Sequence, residues 1–162
     1  MLFRSILDLK GRDFGLFNHL PNLVTDEVVT DADAAFDLIE WIVEEEIPRR
    51  DEILDESLST DIIDHNERHE NKIKPIVLVI DEYAELIKKA GDRAEELESN
   101  IRSIAQIARA FGIHMVIATQ RPSSNIIDTD LRTNLSVRVA FRLPKAQDSR
   151  VILDENGAEE LA

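Results

Sequence analysis

An α/β fold with a mostly parallel sheet is the architecture this sequence predicts, and three observations predict it. Ile76-Val77-Leu78-Val79-Ile80 is an unbroken aliphatic run of the kind found in parallel strands covered on both faces. Met115-Val116-Ile117-Ala118 is a second such run and ends in Thr119-Gln120. Between them, residues 94–111 place Leu97, Ile101, Ile104, Ala105, Ala108 and Phe111 on one helical stripe. Strands alternating with amphipathic helices build a parallel sheet, and the working residues of such sheets gather beyond the carboxyl ends of the strands.

The remaining elements follow in chain order. Residues 2–9 read as a strand that stops at Lys10-Gly11, and Gly11 and Gly15 mark a turn or loop. Residues 16–29, with Pro21, read as irregular. Thr30 and Asp33 have capping-box spacing, so a helix starts at Thr30, with Ala35, Leu38, Ile39, Ile42 and Val43 as its apolar face and Trp41 partly buried beside it. Pro48 is expected to kink or end this helix. A second helical stretch is expected around Ile53, Leu54 and Leu58, then a polar loop or short helix over 59–73. Gly112 is a suitable stop for the 94–111 helix. Residues 121–125 read as a turn, Val137–Arg142 alternate as a strand with one wet face, and residues 145–153 read as a short helix.

Composition narrows the function. The chain has 162 residues, 43% hydrophobic and 32% charged, which suits one globular domain or part of one. It has no cysteine, so disulfides, thiolate metal sites and cysteine nucleophiles are excluded. No apolar run approaches the roughly 20 residues of a membrane span, and Arg4, Asp8 and Lys10 interrupt the only early apolar stretch, so a cytoplasmic segment without membrane contact is expected. The net charge is −14, but unevenly spread: residues 1–74 hold 8 basic and 19 acidic residues, residues 101–150 hold 8 basic and 3 acidic. The acidic part suits a solvated outer surface; the basic stretch can face a phosphate.

Three strand ends are candidate positions for chemistry: Asp8 to Lys10, Asp81-Glu82 and Thr119-Gln120. Five apolar residues followed by Asp-Glu form a Walker B pattern. A carboxylate on a rigid strand end can hold Mg²⁺ or its waters, which is the role for Asp81, and a second beside it can polarise an attacking water, which is the role for Glu82. The same pattern also suits a plain strand followed by an acidic turn. Gln120 can hydrogen-bond both a water and a γ-phosphate, or simply cap its strand. Arg109, late in the helix between the two runs, is either solvated or a charge that reaches an adjacent subunit's phosphate.

Other constellations are weaker. No Gly-x-x-x-x-Gly-Lys-Ser/Thr occurs among the five glycines, so the chain carries no phosphate-binding P-loop. His65 and His69 have the i, i+4 spacing of a helical metal pair, with Asp64, Glu67 and Glu70 close in sequence, but their segment is very polar and no metal site is expected. His114, at the start of a buried strand, is also read as structural. No Gly-x-Ser-x-Gly elbow is present.

Residues 76–87, Ile-Val-Leu-Val-Ile-Asp-Glu-Tyr-Ala-Glu-Leu-Ile, resemble the Walker B region of the FtsK/SpoIIIE family of DNA translocases, and Ala108 through Ser123 resemble its most diagnostic stretch. Asn134–Arg142, Asp148–Asp154, Gly157-Ala158-Glu159 and Leu161 continue the likeness. Ile6–Lys10 is similar to the family strand that follows the P-loop helix, and Arg49-Arg50 and Asn66 fall where the family carries them. The resemblance is dense over 75–161 and looser before.

The resemblance implies a RecA-like fold of the P-loop NTPase type, incomplete here, with residues 1–162 forming part of one motor domain. It implies ATP and Mg²⁺ as cofactors, a hexameric ring, and pumping of double-stranded DNA in chromosome segregation, sporulation or conjugative transfer. Asp81 and Glu82 become the Walker B pair, with Asp81 an indirect Mg²⁺ ligand. Gln120 becomes the γ-phosphate sensor, Arg109 the arginine acting across the subunit interface, and Arg138, Arg142 and Arg150 residues of the nucleotide site or interface. The family's P-loop strand and helix are expected before residue 1, with further family segments after residue 161, so the chain by itself is expected to bind ATP poorly. Two alternatives stand beside the DNA pump: a related ring ATPase of type VII secretion or conjugation, and a P-loop-less interaction protein without catalysis.

Overall fold

A computed structural model describes residues 3–162. Three strands form one sheet in the order β1 (Phe3–Leu7), β2 (Ile76–Ile80), β3 (Ile113–Ile117), all parallel. The register pairs Leu7 with Ile80 and Ile80 with Ile117, so the three carboxyl ends are level. β1 ends earlier than the expected 2–9, and Leu2 lies outside the described residues. Residues 16–29 are irregular as read, but Leu23 and Val29 make single parallel bridges to Arg4 and Leu7 along the outer edge of β1.

The helices lie between the strands in sequence: α1 (Ala32–Trp41), α2 (Ile47–Glu56) and α3 (Ile62–Arg68) before β2, α4 (Tyr83–Ala90) and α5 (Ala94–Ile107) before β3, then α6 (Thr129–Asn134) and α7 (Ala146–Leu153). The main core joins Ile76, Leu78 and Ile80 of β2 to Phe36 and Ile39 of α1, Leu86 of α4, and Leu97, Ile101 and Ile104 of α5. The opposite face is thinner. There Ile6, Leu23 and Val28 cluster with partly buried Val79, so β2 is not sealed on both sides as its composition suggested.

Several expectations change. The cap of α1 is Asp31, not Thr30: Asp31 is extended and accepts the Ala34 N–H at 3.0 Å. Pro48 neither ends nor breaks the helical run. A π-helical turn over Ile42–Glu46, closed by the Ile47 N–H on the Ile42 carbonyl, separates α1 from α2. Pro48 then sits in the first turn of α2, where its missing donor is tolerated. Leu58 falls beyond α2, at φ 51° and 85% exposed. α5 stops at Ile107, and Gly112 (φ 67°) turns the chain into β3. A Cβ on Gly112 would lie 1.9 Å from Ile62 Cδ1, so only glycine fits.

β3 is an edge strand, not a buried one: His114 and Val116 are exposed, and its outer edge pairs with no strand among the described residues. Val137–Arg142 is correspondingly not a strand. It runs without ladder bonds and leaves Val137, Val139 and Phe141 between 71% and 85% exposed, because no strand lies beside it to bond its backbone.

α3 carries His65, and His69 follows it as an extended C-cap residue, so the two do not share a helical face. His65 is buried, bonded to Ser57 Oγ and the Asn71 carbonyl at 2.9 Å each, and its ring stacks on His69 at 4.7 Å. None of the described helices is long and apolar enough to cross a membrane.

Candidate functional site at the strand ends

The level carboxyl ends of β1, β2 and β3 bring together Asp8 and Lys10, Asp81 and Glu82, and Thr119 and Gln120. The first pair is held by local geometry. Asp8 is fully buried, and its carboxylate accepts four backbone N–H groups: Lys10 and Gly11 on Oδ1, Asp13 and Phe14 on Oδ2, at 3.0–3.2 Å. Burial pushes Asp8 up, but the four donors outweigh it and hold the carboxyl below the usual aspartate value.

Asp81 shows the reverse. Burial first, then the nearby charges of Asp8 and Asp13, raise it above the ordinary value, and Lys10 offsets this only in part. Oxygen atoms of Asp8, Asp13 and Asp81 lie within 4.8 Å of one another. Asp81 accepts no hydrogen bond on its side chain among the described residues, so its oxygens are free for a cation. Asp13 was not singled out from sequence; the one signal was its position five residues after Asp8 in a glycine-containing turn.

Glu82 occupies the N-cap position of α4 without capping it. Its carboxylate turns to the end of β3, accepting the Thr119 hydroxyl at 2.6 Å and the Gln120 N–H at 3.1 and 3.2 Å. Lys10 Nζ stands 3.7 Å from Glu82 Oε2. Lys10, Glu82, Lys88, Gln120 and Arg121 line a cavity of about 490 Å³. A carboxylate able to take a proton, a neutral amide and nearby cations therefore share one opening, and the Asp8, Asp13 and Asp81 oxygens cluster at the adjoining strand ends.

Two further candidates lie elsewhere. Arg109 is exposed in the turn before β3, at the end of that strand opposite Gln120. Arg150 projects from α7 and donates to Asn156 Oδ1 at 2.7 Å. Neither joins the strand-end cluster of its own chain. Arg138 pairs with Asp154 at 2.5 Å, whereas exposed Arg142 makes no ion pair among the described residues.

Comparison with known proteins shows what the whole chain is similar to. The model of the FtsK/SpoIIIE family matches residues 57–124. The DNA translocase FtsK of Borreliella burgdorferi is 38% identical over 162 residues, covering 96% of this chain and 20% of the relative. The DNA translocase SftA of Bacillus subtilis is 40% identical over 161 residues, covering 96% and 16%. The chain thus spans about a fifth of the length of such relatives. Among solved structures, the pCW3 conjugation coupling protein TcpA, a monomer form with ATPγS, superposes with a TM-score of 0.85 at 30% identity over 98% of this chain and 46% of its own. The cytoplasmic domain of the type VII secretion ATPase EccC of Thermomonospora curvata shares the fold, with a TM-score of 0.80 at 24% identity, over 100% of this chain and 19% of its own. With a RecA-like parallel sheet, a Walker B strand end and relatives this similar along nearly its whole length, the chain belongs to the FtsK/SpoIIIE family.

Proposed function

We infer that this chain is part of an ATP-driven double-stranded DNA translocase and supplies the Walker B and sensor side of its nucleotide site. The observation that carries this reading is the convergence of Asp81, Glu82 and Gln120 at level strand ends in a chain similar to DNA translocases. The residues fit Mg²⁺ with ATP: an unbonded Asp81 carboxylate among two other carboxylates is an oxygen donor set that lacks a positive charge. Mg²⁺ with ATP supplies the transferable γ-phosphoryl group and the neutralisation of its charge. Asp81 would hold the cation's water shell, Glu82 would take a proton from the attacking water, and the Gln120 amide would orient water and phosphate. Arg109, on the far end of β3, serves a neighbouring subunit of a hexameric ring, not its own. Arg150 contributes at the nucleotide or the interface.

The chain has no P-loop, and the outer edge of β3, which pairs with no strand among the described residues, offers a place for a strand that carries one. For DNA contact, exposed Arg121 is the better candidate. Arg132 is spent on the Val151 carbonyl and Asp154. The test is ATP hydrolysis by a motor carrying this segment with a P-loop. Double-stranded DNA should stimulate it, Glu82→Gln should abolish it, and Arg121→Glu should blunt the stimulation. DNA-independent hydrolysis would favour the second reading, a conjugation or secretion ATPase, which the likeness to TcpA supports. Stable rings that hydrolyse no ATP would favour a non-catalytic interaction role.

A further inference from the structure

We propose that Thr119 is a positioning residue that locks Glu82 to the sensor strand, so that Glu82 and Gln120 move as one unit; this rests on the role given to Glu82 above. Three observations carry it. Glu82 sits at the N-cap of α4, where a side chain ordinarily bonds its own helix, yet it makes no such bond. Instead both carboxylate oxygens reach across to β3, and the side chain is only 9% exposed, so water cannot replace those partners freely.

The polarity of the Thr119 hydroxyl is also determined. Its oxygen accepts the Arg121 N–H at 3.2 Å, which leaves its single proton for Glu82 Oε1 at 2.6 Å. An O–H to carboxylate bond of that length is of the strong, charge-assisted kind. The backbone of the same two turns is stitched in parallel, with Tyr83 N–H on the Ala118 carbonyl and Ala118 N–H on the Ile80 carbonyl. The Thr119 bond extends this stitching to the reactive side chain. Lys10 at 3.7 Å is too far to replace it.

Thr119 therefore acts through Glu82, on the placement of the water, and not on nucleotide affinity. In a motor carrying this segment with a P-loop, Thr119→Val should lower kcat about tenfold to a hundredfold with the KM for ATP unchanged. Thr119→Ser, which keeps the hydroxyl, should restore it. In this chain alone, amide hydrogen exchange at Gln120 should quicken in Thr119→Val and not in Thr119→Ser. Thr119→Ala gives the same test should valine disturb the fold.

An unaltered kcat in Thr119→Val and Thr119→Ala, a change in KM alone, or unaltered Gln120 exchange would overturn the proposal while leaving the functional reading intact. Wild-type turnover in Glu82→Gln would instead overturn the functional reading, and Thr119's kinetic role with it.

Discussion

At the amino ends of β2 and β3, Arg50 is 2% exposed and its guanidinium is fully engaged: Glu46 at 2.7 Å, the Phe111 carbonyl at 2.5 Å and the Lys74 carbonyl at 2.9 Å. At the carboxyl ends of the same strands, Asp8, Asp13 and Asp81 crowd within 4.8 Å, with Lys10 as their nearest cation. One end of the sheet neutralises its buried charge with its own groups. The other is left with more negative charge than it can answer. Burial raises Glu46, but its bonds to Arg49 and Arg50 more than reverse that, while nothing reverses the rise at Asp81. A closed, internally matched charge network is the mark of structure, and an unmatched one at level strand ends is the mark of a site that awaits a partner.

The sharpest way to break this contrast is Arg50→Met. It leaves buried Glu46 with Arg49 as its one remaining arginine and strands two carbonyls, and should cost about 3 kcal/mol in urea unfolding. The double change Arg50→Met with Glu46→Leu should recover much of that, because both charges go. Asp8→Ala comes next. It leaves four backbone donors of the 10–14 turn without their acceptor and should cost about 3 kcal/mol. Because the native Asp8 value lies below the unfolded one, its stabilisation is full above the unfolded aspartate value and is lost as pH falls through the native one.

Asp81→Asn should act in the opposite direction and more weakly. Native Asp81 holds its proton more tightly than the unfolded chain does, so stability falls as pH rises from the unfolded to the native value of this group. The asparagine variant should lack that step and be slightly more stable at neutral pH; a loss of stability would contradict the crowding. The smallest effect is a modest rise in Tm of the unmodified chain in millimolar Mg²⁺, absent in Asp81→Asn, read by differential scanning fluorimetry.

Local pattern made much of this legible. β2 lies where its aliphatic run placed it, and the Asp81-Glu82 and Thr119-Gln120 strand ends meet as the parallel order required. What stayed hidden depends on distant partners. Nothing local to Thr119 says that its hydroxyl faces Glu82, 37 positions away. Nothing near Asp8 says that its carboxylate is consumed by the turn it precedes. Val137–Arg142 shows the converse: alternation is a true local signal, but a strand exists only where a neighbour supplies hydrogen bonds. α4 carries little local signal, since its eight residues directly follow the Walker B pattern and no side chain caps its start.

The π-helical turn at Ile42–Glu46 has a consequence for tolerance to deletion. One extra residue in that turn sets the rotational phase of α2, since each helical residue advances the face by about 100°. Removing a single residue there would restore an ordinary α-helix and release Pro48 from its helix-starting position. It would also swing Arg50 out of line with the carbonyls of Lys74 and Phe111. A one-residue deletion in 42–46 should therefore be worse tolerated than a deletion in the irregular 16–20 stretch, and comparing the yield of folded protein for the two would show it.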